Sequence, residues 1–202
     1  MLNLLPLLQN APSLRRIVSV AAATCEGAID TDNMAADGFA LFQRRNQIAS
    51  MATLLLEEVA RRAPTVALVH TVPGIVQSGI TRDARGLQLV VMIAISRLLG
   101  PLVQTPPADC GETHLFVATS SRYPPGEGSA AAGVPLAGNV AVARGSDGKT
   151  GSGVYTVDNK GESAPAKVEK LLATFREDGT AKKVWDYVAS DFERITGGEV
   201  AA

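Results

Sequence analysis

The sequence predicts an α/β domain built on a parallel sheet, and three observations carry that expectation. Two short apolar runs, Arg16-Ile17-Val18-Ser19-Val20-Ala21-Ala22 and Thr65-Val66-Ala67-Leu68-Val69-His70-Thr71, lack the polar alternation of a half-exposed strand and suit strands covered on both faces. The segment between them repeats apolar residues at three- and four-residue spacing, the period of an amphipathic helix. The order strand, helix, strand then calls for a right-handed crossover joining parallel neighbours.

The opening Met1-Leu2-Asn3-Leu4-Leu5-Pro6-Leu7-Leu8 is apolar but has neither a basic leader region nor a small-residue cleavage site. It reads as the end of a helix rather than a secretory signal. The turn Asn10-Ala11-Pro12-Ser13 separates it from the first strand. From Phe39 to Ala63, Ile48, Met51, Leu55 and Val59 form the apolar stripe of a helix, with Glu57, Glu58, Arg61 and Arg62 between them and Pro64 as its stop. The second strand closes at Pro73-Gly74.

A further apolar stretch, from Gly86 through Val91-Met92-Ile93-Ala94-Ile95 to Val103, is interrupted by Gln88, Arg97 and Pro101. It falls short of the roughly 20 uninterrupted apolar residues a membrane span needs. Pro106-Pro107-Ala108-Asp109 opens another helix through Glu112, Leu115 and Val117, and Pro124 to Gly138 is a loop. Gly153-Val154-Tyr155-Thr156-Val157-Asp158 is a third strand. Two helical stripes come after it, Val168, Leu171, Leu172 and Phe175, then Val184, Val188, Phe192 and Ile195, separated by Asp178-Gly179-Thr180 and expected to pack over the sheet. Residues 1–202, 46% apolar and without an internal repeat, are expected to form a single domain.

Nineteen basic against 20 acidic residues leave a net charge of −1, with no surplus to bind a phosphate backbone or an anionic membrane. Nucleic acid is therefore excluded as an expected partner. Two cysteines, Cys25 and Cys110, make no disulfide framework and no metal-type spacing, which points to a reducing, cytoplasmic setting. No metal site is expected.

Ser19, Thr24 and Glu26 lie where the first strand opens toward the carboxyl ends of the sheet, the usual place for ligands in such folds. Capping and turn roles compete with catalysis there. His70 and His114 have no partner at catalytic or metal spacing and read as packing or surface residues. Ala143-Arg144-Gly145-Ser146-Asp147-Gly148-Lys149-Thr150 fits a loose phosphate-loop pattern, but it leads into a strand where such a loop must feed a helix. It is expected to be a solvated turn. Trp185 and Tyr187 suit packing anchors.

The order Leu5-Pro6-Leu7-Leu8, turn, Arg16-Ile17-Val18-Ser19-Val20, long helix, then Val69-His70-Thr71-Val72-Pro73-Gly74-Ile75-Val76 resembles the second half of a short-chain dehydrogenase/reductase. Thr105-Pro106-Pro107-Ala108-Asp109 leading to Leu115-Phe116-Val117-Ala118-Thr119-Ser120 resembles the late helix of that family. The tail, with Gly145 to Tyr155 and Val184-Trp185 leading to Phe192-Glu193-Arg194-Ile195-Thr196, is similar to a fungal branch associated with secondary metabolism.

The resemblance implies a partial doubly wound, Rossmann-like sheet of about three strands, and NADP or NAD as cofactor. It implies that the strand at Arg16 is the fifth of seven, so that the glycine-rich nucleotide turn would precede Met1. Pro73, Gly74, Val76 and Ser78 take the place of the turn that meets the nicotinamide, with Ser78 for the usual threonine. Ala22 falls at the family's catalytic serine, Leu41 at its tyrosine and Arg45 at its lysine; no tyrosine occurs before Tyr123. The standard proton donor is thus missing, and Arg45, Ser19 and Thr24 are left as catalytic candidates. Arginine holds its charge too firmly to give up a proton readily. Met92, Ile93, Ile95, Leu98 and Leu99 occupy the region that covers an apolar substrate in the family, and the helix from Phe39 to Ala63 is the one through which homodimers form there.

Three functional expectations result. The first is an oxidoreductase of a carbonyl or alcohol in secondary metabolism. The second is a cofactor-free isomerase, cyclase or non-catalytic partner on an altered dehydrogenase scaffold, acting by orientation rather than proton transfer. The third is a truncated gene product, whose sheet would carry an open apolar edge.

Overall fold

A computed structural model describes residues 2–76, 87–98, 100, 104–128 and 133–198. Three strands, β1 (Arg16–Val20), β2 (Ala67–Thr71) and β3 (Val154–Val157), form one sheet in the order β1-β2-β3, with both pairings parallel. The expected α/β class and the three parallel strands are thus what the chain adopts.

The helices are α1 (Leu5–Gln9), α2 (Leu41–Arg62), α3 (Leu87–Leu98), α4 (Pro107–Thr119), α5 (Ala166–Glu177) and α6 (Thr180–Thr196). Pro6 starts α1, where its missing N–H costs nothing. Gly179 and Gly197 bound α6 in the left-handed conformation that glycine adopts freely. Among the described residues no helix is long and apolar enough to cross a membrane.

Strand alternation sends Leu68 and Val154 to one face and Val69, Tyr155 and Val157 to the other. On the first face Leu56 and Val59 of α2, with Ala63 just past its end, pack against Leu68, Val154 and Val66. Met51 and Leu54 of α2 meet Val168, Leu172 and Phe175 of α5 and Val184 of α6. On the second face Val117 of α4 packs with Tyr123, Val69, Tyr155 and Val157. Helical layers on both faces explain why every residue of β2 and β3 is buried.

One packing expectation is corrected. Val184 is buried, but Val188, Phe192 and Ile195 are exposed, because α6 lies chiefly along α2 and α5 and runs beyond them. Leu41, Phe42 and Ile48 are likewise exposed on α2.

Candidate active site

Parallel pairing puts all three strand ends at one edge of the sheet. There the chain leaves β1 through Thr24, which holds a left-handed φ of 65°, and leaves β2 through Pro73-Gly74, with Gly74 at φ 77°. A Cβ on Gly74 would stand 2.8 Å from Thr105 Oγ1 and 3.0 Å from Asn159 Nδ2, so both conformation and crowding require glycine. Thr105 N–H donates to Ile75 O at 2.9 Å, Val76 bridges to Thr105, and Asn159 Nδ2 donates to Thr105 Oγ1 at 3.3 Å. The turn is therefore braced from the segment that returns to α4 and from the end of β3.

Just behind this edge lies a buried polar cluster. Ser19, His70 and Thr156 share one rung of the sheet. Glu26, from the loop after β1, accepts bonds at Oε1 from Thr156 Oγ1 (2.6 Å) and Thr53 Oγ1 (2.8 Å). Thr53 Oγ1 also lies 2.8 Å from His70 Nδ1, and Thr24 N–H donates to Thr156 Oγ1 at 3.1 Å. Thr53 has one proton to give. Given to Glu26, it leaves His70 Nδ1 as the donor to Thr53 and Nε2 as a bare acceptor; this tautomer is set by the network.

Burial pushes the Glu26 carboxyl above its ordinary range, against the hydrogen bonds from Thr156 and Thr53, and lowers His70 to about 4. Burial thus favours the neutral form of each. Glu26 Oε2, His70 Nε2 and Thr71 Oγ1 are buried without a hydrogen-bond partner. The side chains of Glu26 and His70 are fully enclosed, so neither touches a substrate here. The cluster ties the loop after β1 to α2, β2 and β3, and through Thr156 it holds the strained turn at Thr24.

His70 is a buried packing residue, one of the two readings the sequence allowed, and it also contacts the Thr53 hydroxyl, a partner that spacing did not reveal. A signal was available in the sequence: a histidine and a threonine inside strands covered on both faces must find polar neighbours. His114 lies on α4, where its Nδ1 is 2.8 Å from Cys110 O. Among the described residues no group of three or more metal-binding side chains comes together.

The other sequence candidates do not converge. Ser19 is half-buried on the polar rung, and Thr24 contributes its backbone N–H to Thr156. Arg45 is exposed, its guanidinium 5.0 Å over the Phe42 ring and bonded to Asn46 Oδ1. Leu41 is 60% exposed and Ala22 half-buried, so apolar groups stand at both expected hydroxyl positions. Ser78 and Leu99 lie outside the described residues, as does the side chain of Met92. Ile93 is half-buried, and Ile95 and Leu98 are exposed on α3.

The remaining tyrosines give no substitute donor at this edge. Tyr123 OH donates to Gly161 O and Tyr155 OH to Pro124 O, each at 2.6 Å, and burial pushes both phenols up to about 12. Tyr187 lies on α6, partly exposed.

In the loop from Ala143 to Thr150, Gly145 N–H donates to Lys149 O, Gly148 N–H to Gly145 O and Lys149 N–H to Asp147 Oδ1, while Ala143, Arg144 and Ser146 N–H donate to Arg122 O, Ser163 Oγ and Val154 O outside it. It then enters β3 rather than a helix, as its pattern suggested. It is not wholly solvated, because Ser146 is buried and donates to Glu57 Oε1 at 2.6 Å, beside Arg176 at 2.9 Å. Burial raises the Glu57 carboxyl against these partners. A cavity of about 250 Å³ there is lined by Glu57, Ser146, Gly153, Val154 and Arg176, at the amino end of β3.

Over 193 residues the chain is 35% identical to the protein named oxidoreductase AN1596 of Emericella nidulans, covering 93% of this chain and 56% of that protein. It is 31% identical over 199 residues to oxidoreductase andH of Emericella variicolor, covering 96% and 57%. It is 27% identical over 201 residues to the short-chain dehydrogenase/reductase SAT2 of Stachybotrys chartarum, covering 96% and 55%. Over nearly its whole length the chain is therefore similar to fungal proteins named oxidoreductase and, in one case, short-chain dehydrogenase/reductase. It spans about half the length of these oxidoreductase relatives. No family model matches it, and no solved structure does.

A nicotinamide cofactor needs two parts of such a fold. The turn at Pro73–Val76 is a short segment at the carboxyl end of β2, braced by Thr105 and Asn159. The described residues hold no glycine-rich turn from a strand into a helix, which the pyrophosphate requires.

Proposed function

We propose that this chain serves an NADP- or NAD-linked oxidoreductase that interconverts a carbonyl and an alcohol on an apolar small molecule of fungal secondary metabolism, in the cytoplasm. The observation that carries the reading is its 35% identity over 193 residues to a protein named oxidoreductase. A second relative, named a short-chain dehydrogenase/reductase, supports the same class. In this reading Pro73, Gly74, Val76 and Ser78 meet the nicotinamide. Ser19, Thr24 and Arg45 are the polar groups left for the substrate, and Glu26 acts as a positioning residue through Thr156 and the Thr24 turn.

Titration calorimetry of the purified chain with NADPH and with NADH tests it. Saturable binding of either is the expected result, and no heat from either at millimolar concentration would remove the reading.

The same result would leave the second reading, a cofactor-free isomerase, cyclase or non-catalytic partner. A specific observation favours it: Leu41 and Ala22 replace both expected hydroxyl groups, and Tyr123 and Tyr155 are locked on backbone carbonyls inside the core. Turnover that depends strictly on added nicotinamide would exclude it.

A further inference from the structure

The polar cluster behind the carboxyl edge contains two titratable groups joined by one hydroxyl. Glu26 Oε1 and His70 Nδ1 stand 3.7 Å apart, beyond the reach of a direct hydrogen bond. Thr53 Oγ1 lies 2.8 Å from each of them. The third contact of that hydroxyl, to Ala49 O, is longer at 3.2 Å. Both side chains are fully enclosed, and the second polar atom of each, Glu26 Oε2 and His70 Nε2, has no partner among the described residues. Among those residues Thr53 is therefore the hydrogen-bonded path from carboxyl to imidazole.

A hydroxyl gives one hydrogen and accepts another, so this bridge has two directions. With Glu26 as carboxylate, His70 Nδ1–H donates to Thr53 and Thr53 donates to Glu26 Oε1. With a proton on Oε1, Glu26 donates to Thr53, Thr53 donates to Nδ1, and the imidazole hydrogen sits on Nε2. We propose that His70, Thr53 and Glu26 form a proton relay in which a proton taken up at His70 Nε2 appears on Glu26 Oε1. The step balances along the chain. The Nδ1–H bond and the original Thr53 O–H bond break, a new Thr53 O–H bond and an Oε1–H bond form, and His70 ends neutral. No separated charges remain, as an enclosed site favours. Burial raises the carboxyl and lowers the imidazole, which holds the proton on Glu26.

The titratable side chains on the surrounding elements are engaged elsewhere. Arg16 of β1 donates to Val117 O and Tyr123 O, Asp30 accepts from Asp32 N–H, and Glu57 of α2 accepts from Ser146 and Arg176. Tyr155 of β3 donates to Pro124 O, and Asp158 accepts from Lys160 and Glu162 N–H. Cys25 is a half-buried thiol that makes no bond to the three. The relay reaches the strand edge through Thr156, which donates to the same Oε1 at 2.6 Å and accepts Thr24 N–H at 3.1 Å. A proton on Oε1 makes it a weaker acceptor, so the state of the relay is felt at the Thr24 turn. This inference is independent of the proposed oxidoreductase reading.

Nitrogen-15 and carbon-13 NMR of the full chain tests it, in a His114→Gln background that leaves His70 as the only imidazole. The pH is raised until the Glu26 carboxyl carbon has titrated. The expected result is that His70 stays neutral while its hydrogen moves from Nε2 to Nδ1, exchanging the two nitrogen shifts at the Glu26 midpoint. The Thr24 amide shift should move at the same midpoint. Thr53→Val should leave the Glu26 titration in place and abolish the exchange, and Thr53→Ser should keep it. A Glu26 titration that leaves His70 unchanged, or an exchange that survives in Thr53→Val, would overturn the proposal. Should Thr53→Val fail to fold, Glu26→Gln decides. It has no carboxyl to titrate, so neutral His70 must keep its hydrogen on Nδ1 at every pH, and any exchange there refutes the relay.

Discussion

Val20 and Val157 stand on the same rung of the sheet, each opposite Thr71 of the central strand, and their side chains leave by the same face. Yet Val157 is fully buried and Val20 is 53% exposed. The chemistry of the residue is identical, so the difference comes from the path the chain takes after each strand. After β3 the chain doubles back, and Asp158 to Ala164, together with the turn at Gly145-Ser146, bonds to the outer backbone of the strand. After β1 the chain instead turns at Thr24 toward Glu26 and the start of α2, below the sheet. Among the described residues, loops close the β3 side of the sheet, and no such loop bonds to the outer backbone of β1. Strand burial in this fold is thus a property of connections more than of composition.

The largest expected effect breaks that contrast with one substitution made twice. Lysine at 157 would bury an unpaired ammonium against Tyr123 and Tyr155, and Val157→Lys is expected to cost about 4 kcal/mol or more. Val20→Lys, whose head reaches water, is expected to change the stability of the folded subunit by no more than about 0.5 kcal/mol. Urea denaturation of both variants at the same protein concentration checks the pair. Equal losses would mean that the β1 edge is covered in solution more thoroughly than its exposure allows.

A second effect lies in the polar cluster that joins the two edges through Thr156. His70, lowered to about 4 by burial, adds stability above its ordinary value of 6.5 and loses it as pH falls toward 4. Glu26, raised by burial, works in the opposite sense: its contribution is complete below 4.5 and is lost as pH rises through its raised value. The two slopes oppose each other in the mildly acidic range. Glu26→Gln keeps an acceptor for Thr53 and Thr156 and removes the second slope. It should be at least as stable as the wild type at pH 7.5 and should gain stability more steeply between pH 4.5 and 6.5. Thermal melts across that range read this out, and a variant weaker at pH 7.5 with the wild-type slope would contradict it.

Much of the sheet was legible in the sequence because its residues obey one force at a time. Ala67 to Thr71 is apolar throughout its first three positions, and such a run has few places to go but the centre of a parallel sheet. Helix α2 announced itself by period, and it ends within two residues of Pro64 as expected. The candidate site was less legible because its partners lie far apart in the chain: Glu26, Thr53, His70 and Thr156 meet only once three strands and a helix are assembled. Spacing rules could flag His70 as a polar residue in an apolar strand but could not name Thr53. The stripe on α6 misled for a related reason. Its period is correct, but periodicity says that a face is apolar and not how far along the helix its neighbours extend: Val184 and Trp185 pack, whereas Val188, Phe192 and Ile195 are exposed.

The smallest expected effect sharpens the account of the closed edge. Ser163 is half-buried where the loop after β3 returns, pairing with Val157 across an isolated bridge. Its hydroxyl accepts from Arg144 N–H at 3.0 Å and donates to Arg144 O at 2.8 Å, so it clips the turn that begins at Ala143 onto the segment that reaches Ala164. Ser163→Ala removes both bonds but leaves Arg144 N–H and O close enough to the surface to be hydrated, so the loss should be about 1 kcal/mol rather than the larger penalty of a sealed orphan. The readout that separates a local clip from general destabilisation is amide exchange at Ser146 and Ala164, the two donors to β3. If the loops close the edge as a unit, these amides lose protection together in the variant while those of β2 keep theirs. If they are held independently, Ala164 opens alone, and the closed edge is two separate devices rather than one.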